Sequence, residues 1–181
     1  MGEFMKIPFY ILGLLLRYGP QHGYSLKQII EETIADFAKI KLPTIYYHLD
    51  KLKEQSYVTV TLGKDGNRPE KMVYQITEKG EKYFDELFVK QLGESYSPEF
   101  LIDGIFYFKE RTAGNFLLEE LKNKVQEMQT KLKTLERHKA NSLSNIPEQG
   151  KLNAEIIFEH HRLHLEAELI WLQKTIEGLS K

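Results

Sequence analysis

The sequence contains no cysteine, a single tryptophan and six prolines, and neither sign of charge dominates it. The lack of cysteine excludes a disulfide framework, a thiolate zinc site and a cysteine nucleophile together, and is compatible with a reducing cytosol. Lysine and arginine number 25 against 26 aspartates and glutamates, a formal net charge of −1. No global basic field advertises a nucleic-acid binder, so any such function must rest on a local patch. Long apolar runs are missing as well. The longest, Ile11-Leu12-Gly13-Leu14-Leu15-Leu16, falls far short of the ~20 residues that cross a bilayer. No basic segment with a small-residue cleavage site frames it, so it reads as a buried helix and no membrane partner is expected. What remains is ordinary globular composition: 181 residues, 41% hydrophobic and 28% charged, enough for one or two small domains held by packing alone. Met1-Gly2-Glu3-Phe4 ahead of a second methionine, Met5, reads as vector-derived sequence before the native start.

The periodicity of apolar residues gives the order of elements. Pro8 suits a first helical position, and the stretch from there to Tyr18 is apolar nearly all round, which predicts a helix contacted from several sides. Gly19-Pro20 stops it. A second helix is expected from a cap at Ser25, with Leu26, Ile29, Ile30 and Ile34 on one face. A third follows Pro43, with Ile45, Leu49 and Leu52 as a narrow inward stripe. From Tyr57 the period changes to two: Val58, Val60 and Leu62 alternate with threonines, a turn-rich segment Gly63–Pro69 follows, and Met72–Ile76 returns as a second strand. Thr77 then caps a fourth helix carrying Tyr83, Phe84, Leu87 and Phe88. This order predicts a two-stranded hairpin after three helices.

Gly93–Pro98 is the best internal boundary, and Ser97-Pro98-Glu99 reads as a helix start combining cap, proline and acid. Domains are therefore expected over 5–93 and 97–181. The second is almost all helical pattern. A first helix runs to about Lys109. A second carries Leu118, Leu121, Val125, Met128, Leu132 and Leu135 in 3-4 alternation, a seam that asks for a partner helix. Asn145-Ile146-Pro147 breaks it. The last helix shows Phe158, Leu165, Leu172 and Leu179 in one row and Ile156, Leu163 and Ile170 in another, more than one neighbour can bury. Part of that surface is expected to meet a second subunit. The fold class is thus mostly α, a winged helix-turn-helix domain followed by an α-helical dimerisation domain.

Three helices and a hairpin form the arrangement in which the third helix lies in the DNA major groove and the wing follows the backbone or minor groove. With Ile45, Leu49 and Leu52 turned inward, Thr44, Tyr47, Asp50, Lys51 and Glu54 point outward, Tyr46 and Lys53 sit on one flank and His48 on the other. Hydroxyl, aromatic and lysine groups can donate to phosphates and meet base edges; Asp50 and Glu54 do not help. Between Lys39 and Lys71, seven cations (Lys39, Lys41, Lys51, Lys53, Lys64, Arg68, Lys71) face four carboxylates (Asp50, Glu54, Asp65, Glu70). That modest excess implies that affinity comes from pairing two subunits.

Five ordered segments carry a resemblance: Ile11–Leu15, Gly19-Pro20-Gln21-His22-Gly23-Tyr24-Ser25-Leu26, Thr44-Ile45-Tyr46-Tyr47-His48-Leu49-Asp50-Lys51-Leu52, Gly66-Asn67-Arg68-Pro69-Glu70-Lys71-Met72-Val73-Tyr74 and Ile76-Thr77-Glu78-Lys79-Gly80. Together they resemble the PadR family of transcriptional regulators across residues 5–90, and the helical second half is similar to the larger-tailed branch, whose C-terminal helices dimerise. The resemblance implies a cytoplasmic, dimeric repressor that binds a palindromic operator and is often released by a small phenolic or other aromatic effector. It further implies that Thr44, Tyr46, Arg68 and Lys71 touch DNA. The full set of DNA-contacting residues expected is Tyr24, Thr44, Tyr46, Tyr47, Lys51, Lys64, Asn67, Arg68 and Lys71. Ser56 stands where the family commonly has glycine, and Tyr47 and His48 where smaller residues or proline are usual, so the base preference does not carry over.

Other residues are weighed against plainer roles. His22 beside a glycine turn is expected to serve local hydrogen bonding, and Gly23 to meet a backbone constraint such as a positive φ or a close helix approach. Phe106, Tyr107 and Trp171 either make the core or line a flat apolar pocket for an aromatic effector. His160 and His164, four apart, could share a metal with Glu168 a turn further on, yet the spacing fails the HExxH pattern; packing, hydrogen bonding or titration is the expected role. No metal and no cofactor are expected. Nor is an enzyme: the chain has no paired nucleophile and base, no phosphate-binding glycine loop and no metal motif. The alternative to a DNA reader is a winged-helix protein-interaction adaptor whose Leu118–Leu135 seam recruits another partner.

Overall fold

The computed structural model describes residues 2–34, 38–63, 71–111, 114–145 and 148–180, with only the backbone at 2–5, 71, 114–115 and 145. The chain divides into two compact units, Met1–Ser97 and Pro98–Lys181. In chain order the elements are α1 (Gly2–Tyr18), β1 (Gln21–His22), α2 (Gly23–Thr33), α3 (Leu42–Glu54), β2 (Val58–Gly63), β3 (Lys71–Ile76), α4 (Glu78–Leu92), α5 (Leu101–Tyr107), a 3-10 turn (Lys109–Arg111), α6 (Gly114–Asn145) and α7 (Glu148–Leu179).

The N-terminal unit is built around the apolar run foreseen in α1. Ile11, Leu12 and Leu15 are fully buried with Leu26 and Ile30 of α2, Ile45, Leu49 and Leu52 of α3, Val58, Tyr74 and Leu87. Each such side chain removed from water contributes about 1.5–3 kcal/mol, which is what fixes the angles between the helices. Helix α4 closes the unit. Its Phe84 stacks on Phe9 of α1 at 5.0 Å between ring centroids, and its Tyr83 stacks on Tyr57 at 4.2 Å. The expected cap at Thr77 is present: its hydroxyl accepts from the Gly80 amide at 3.0 Å and donates to the Ser56 carbonyl at 2.8 Å. One side chain thus ties the end of the α3–β2 link to the start of α4. A side chain at Gly80 would sit 2.1 Å from the Tyr57 carbonyl oxygen, so only glycine lets the two segments approach.

Several details differ from the sequence reading. Helix α1 begins well before Pro8, which lies buried inside it; lacking an N–H, the proline forfeits one helical hydrogen bond but does not end a helix already under way. The sheet has three strands, not two, in the order β1-β3-β2, all antiparallel. Gln21 and His22 pair with Tyr74 and Val73, in a strand too short to show a period. Helix α2 starts at Gly23 behind an extended His22, so Ser25 lies inside it rather than capping it. The Ser97-Pro98-Glu99 start fails: these residues are outside any helix, and α5 begins at Leu101. Proline disfavours helical backbone at the residue before it, and Phe100 takes the N-cap position instead.

In the C-terminal unit α6 and α7 are 32 residues each and pack along their length. Leu121, Leu135, Phe158 and Leu172 are buried between them, and His138 meets Phe158 edge-on at 5.7 Å. The residues of the expected seam on α6, Leu118, Val125, Met128 and Leu132, are half-buried. Residues 146 and 147 of the expected break lie outside the described residues.

Candidate nucleic-acid interface

Helix α3 is positioned by its buried stripe. Pro43 occupies its first turn and Ile45, Leu49 and Leu52 lock it against α1 and α2. What the stripe leaves outward is polar and aromatic: Tyr46, Tyr47, Asp50, Lys51, Lys53 and Glu54 are exposed and Thr44 is half-buried. His48, read from the sequence as lying on a flank, is instead buried with only 6% of its surface exposed. The buried arc of α3 is thus one residue wider than the stripe. Burial pushes the His48 imidazole below its ordinary value, and the exposed Tyr47 ring is set edge-on to it at 5.1 Å between centroids.

Two expected contacts have a structural duty too. Tyr46 lies over Gly23, so that a Cβ at 23 would stand 2.5 Å from its ring; this is the close helix approach, while Gly23 itself is not among the residues of positive φ. Tyr24, the next residue, is exposed on α2. Lys51 is paired with Glu54 at 2.8 Å, a hydrogen bond that raises its pKa further. The pair is exposed and screened, so the ammonium remains transferable to a phosphate.

The base of the hairpin is fastened to the turn before α2. His22 donates from Nδ1 to the Met72 carbonyl at 3.0 Å, and Gln21 donates to the Tyr18 carbonyl at 3.0 Å. Val58, Val60 and Leu62 share one face with their partners Ile76, Tyr74 and Met72. Burial falls along that face from Val58 to an exposed Leu62 and Met72. Sequence alternation gave the face but not where the core ends, so this exposed apolar pair near the turn end of the hairpin was missed. Lys64, Asn67 and Arg68 lie outside the described residues, as does the side chain of Lys71. Of the three aromatic residues weighed in the second unit, Phe106 and Trp171 are brought together, edge-to-face at 5.7 Å. Tyr107 is exposed and its ring meets Phe108 at 4.9 Å.

Three helices, a short first strand and an antiparallel hairpin, with the third helix turning a polar-aromatic face outward, define a winged helix-turn-helix protein with a helical C-terminal region. Residues 11–86, all within the N-terminal unit, match the model of the transcriptional regulator PadR-like family. The chain is 26% identical over 134 residues to the negative transcriptional regulator PadR of Bacillus subtilis, covering 73% of this chain and 72% of that protein. Its fold is similar to that of Bacillus subtilis PadR in complex with operator DNA, with a TM-score of 0.79 at 18% identity over 95% of this chain and 98% of the other. It is similar also to Bacillus subtilis PadR in complex with p-coumaric acid, with a TM-score of 0.77 at 18% identity over 97% and 99% of the two chains. Among the described residues no helix is long and apolar enough to cross a membrane.

Proposed function

We propose that this chain is a homodimeric repressor that reads a palindromic operator with two winged helices and is released by a small aromatic or phenolic effector. The observation that carries the proposal is α3, buried along Ile45, Leu49 and Leu52 and exposed along Tyr46, Tyr47 and Lys51. Such a helix is held rigidly while its outer face remains available to a groove. Thr44, Tyr46 and Tyr47 supply base-edge and sugar contacts, Lys51 and Tyr24 supply phosphate contacts, and Lys64, Asn67, Arg68 and Lys71 of the wing follow the flanking backbone. The C-terminal helices hold two copies so that their recognition helices meet successive major grooves about 34 Å apart. The edge-to-face pair Phe106 and Trp171, with Tyr107 nearby in sequence, offers an aromatic effector a flat surface; binding there favours a dimer of the wrong spacing, with a coupling of about 1–3 kcal/mol. The chain works in the cytoplasm and carries no catalysis. The operator and p-coumaric acid complexes of a protein with the same fold support this reading.

The test is a mobility-shift titration of full-length protein on DNA from upstream of its own gene, at several salt concentrations. Arg68→Ala and Lys71→Ala are expected to weaken binding and to lower the salt slope by about one each. Unchanged affinity and slope in both variants would favour the adaptor and overturn the proposal. Quenching of Trp171 fluorescence by phenolic acids tests the effector arm.

A further inference from the structure

We propose that His160 and His164, one turn apart on α7, form a binding site for a divalent transition-metal ion of the zinc, nickel or copper type. Their Nε2 atoms face each other at 3.2 Å and their rings lie 4.6 Å apart. Two imidazole nitrogens bound to one tetrahedral ion at about 2.0–2.1 Å lie about 3.3 Å from each other. The two nitrogens are thus separated by about the span of a chelate, which the spacing in sequence alone did not establish. Both side chains are exposed, so an ion reaches them from solvent.

The surroundings settle which class of ion suits the site. The nearby carboxylates Glu159 and Glu166 are both engaged by Arg162, leaving imidazole nitrogen as the donor. Among the described residues no third histidine, aspartate or glutamate is grouped with the pair, so water completes the coordination. Nitrogen donors with open positions suit zinc, nickel and copper, whereas magnesium and calcium require oxygen ligands. In the absence of metal one Nε2–H donates to the other Nε2. Binding needs both Nε2 lone pairs, so that ring's proton moves to its Nδ1. His161 is the natural control, since it belongs to the same cluster but its ring centroid lies 5.8 Å from that of His160. Because the two ligands converge only in a helix, the ion binds the folded chain and raises its melting temperature.

The experiment is calorimetric titration of the untagged full chain with zinc in a weakly coordinating buffer, repeated on His160→Gln, His164→Gln and His161→Gln. Glutamine can still hydrogen-bond to the remaining histidine but is a poor zinc ligand, and far-ultraviolet circular dichroism checks that each variant keeps its helices. Wild type is expected to bind one zinc per chain and to melt higher with it. Loss of an outer-shell partner alone typically costs about 10–100-fold in metal affinity, so removing either ligand should weaken binding about tenfold or more and abolish the thermal shift, while His161→Gln stays within about twofold of wild type. Wild-type affinity in either ligand variant, equal loss in His161→Gln, or no zinc binding by wild type would overturn the site.

Discussion

The two units of the chain treat their apolar residues in opposite ways. In the N-terminal unit the large aliphatic side chains of α1, α2 and α3 converge on one core, and Tyr83 and Phe84 pin α4 over it. In the C-terminal unit two helices of 32 residues share one seam, and a second row, Ile156, Leu163 and Ile170, stays 59%, 52% and 51% exposed. Helix α5 holds no fully buried residue, and its Leu101 and Ile105, with Phe108 just beyond it, are open to solvent. A unit that satisfies its own apolar surface is complete as a monomer, whereas one that leaves such a row open is shaped for a partner. The N-terminal unit gathers its main apolar cluster into one core, while the unit proposed to pair two copies leaves the Ile156, Leu163 and Ile170 row open.

The strongest way to break this contrast is to charge the open row. Replacing Ile156, Leu163 and Ile170 together with glutamate removes three side chains each worth about 1.5–3 kcal/mol of burial, and should raise the dissociation constant of the proposed dimer by about three orders of magnitude or more. Sedimentation should show monomer at concentrations where the parent is a dimer, with the N-terminal unit still folded by circular dichroism. The next largest effect lies in the finished unit. Gly80→Ala forces a methyl against the Tyr57 carbonyl and should cost about 3 kcal/mol, seen as a lower urea midpoint that does not depend on protein concentration.

A smaller effect comes from pH. The unfolded His48 titrates near its ordinary value of about 6.5, while burial holds the folded imidazole lower. As pH falls through 6.5 the unfolded chain takes up the proton first, so stability is lost from there downward and is fully present above. The loss, followed as chemical denaturation between pH 7.5 and 5, should be shallower in His48→Leu. The smallest effect has the opposite sign. Ser56 sits at φ 60°, a conformation in which glycine avoids the Cβ penalty. Ser56→Gly should raise stability by about 0.4–1 kcal/mol, as relief of strain outweighs the added freedom of the unfolded chain.

The sequence made most of the fold readable because the deciding signals were local and repeated. Ile45, Leu49 and Leu52 recur at helical spacing and are buried; Thr77 stands before a helix and caps it; Val58 and Val60 alternate with threonines and lie in β2. What was illegible depends on distant partners. Strand β1 exists because Tyr74 and Val73 lie beside it, and His48 is buried although it stands outside the apolar stripe of Ile45, Leu49 and Leu52. The same division runs through the proposed interface. The outward face of α3 followed from its stripe, but the lodging of Tyr46 over Gly23, the engagement of Lys51 by Glu54 and the approach of two imidazoles on α7 all rest on side-chain placement that a helical wheel does not give. Ser56 gave a signal in advance, as a non-glycine where the family commonly has glycine, and it is the described non-glycine residue of positive φ.

The seating of Tyr46 on Gly23 has an evolutionary consequence. Any side chain at 23 would evict the ring, and a smaller residue at 46 would leave a hollow above the glycine. Each position thus constrains the other, and a change at Tyr46, proposed above to contact the operator, calls for a compensating change at 23 or loosens the joint between the two helices. Under the proposed readout, retargeting would proceed by paired substitutions at 23 and 46, with the exposed Tyr47 as the position open to single steps.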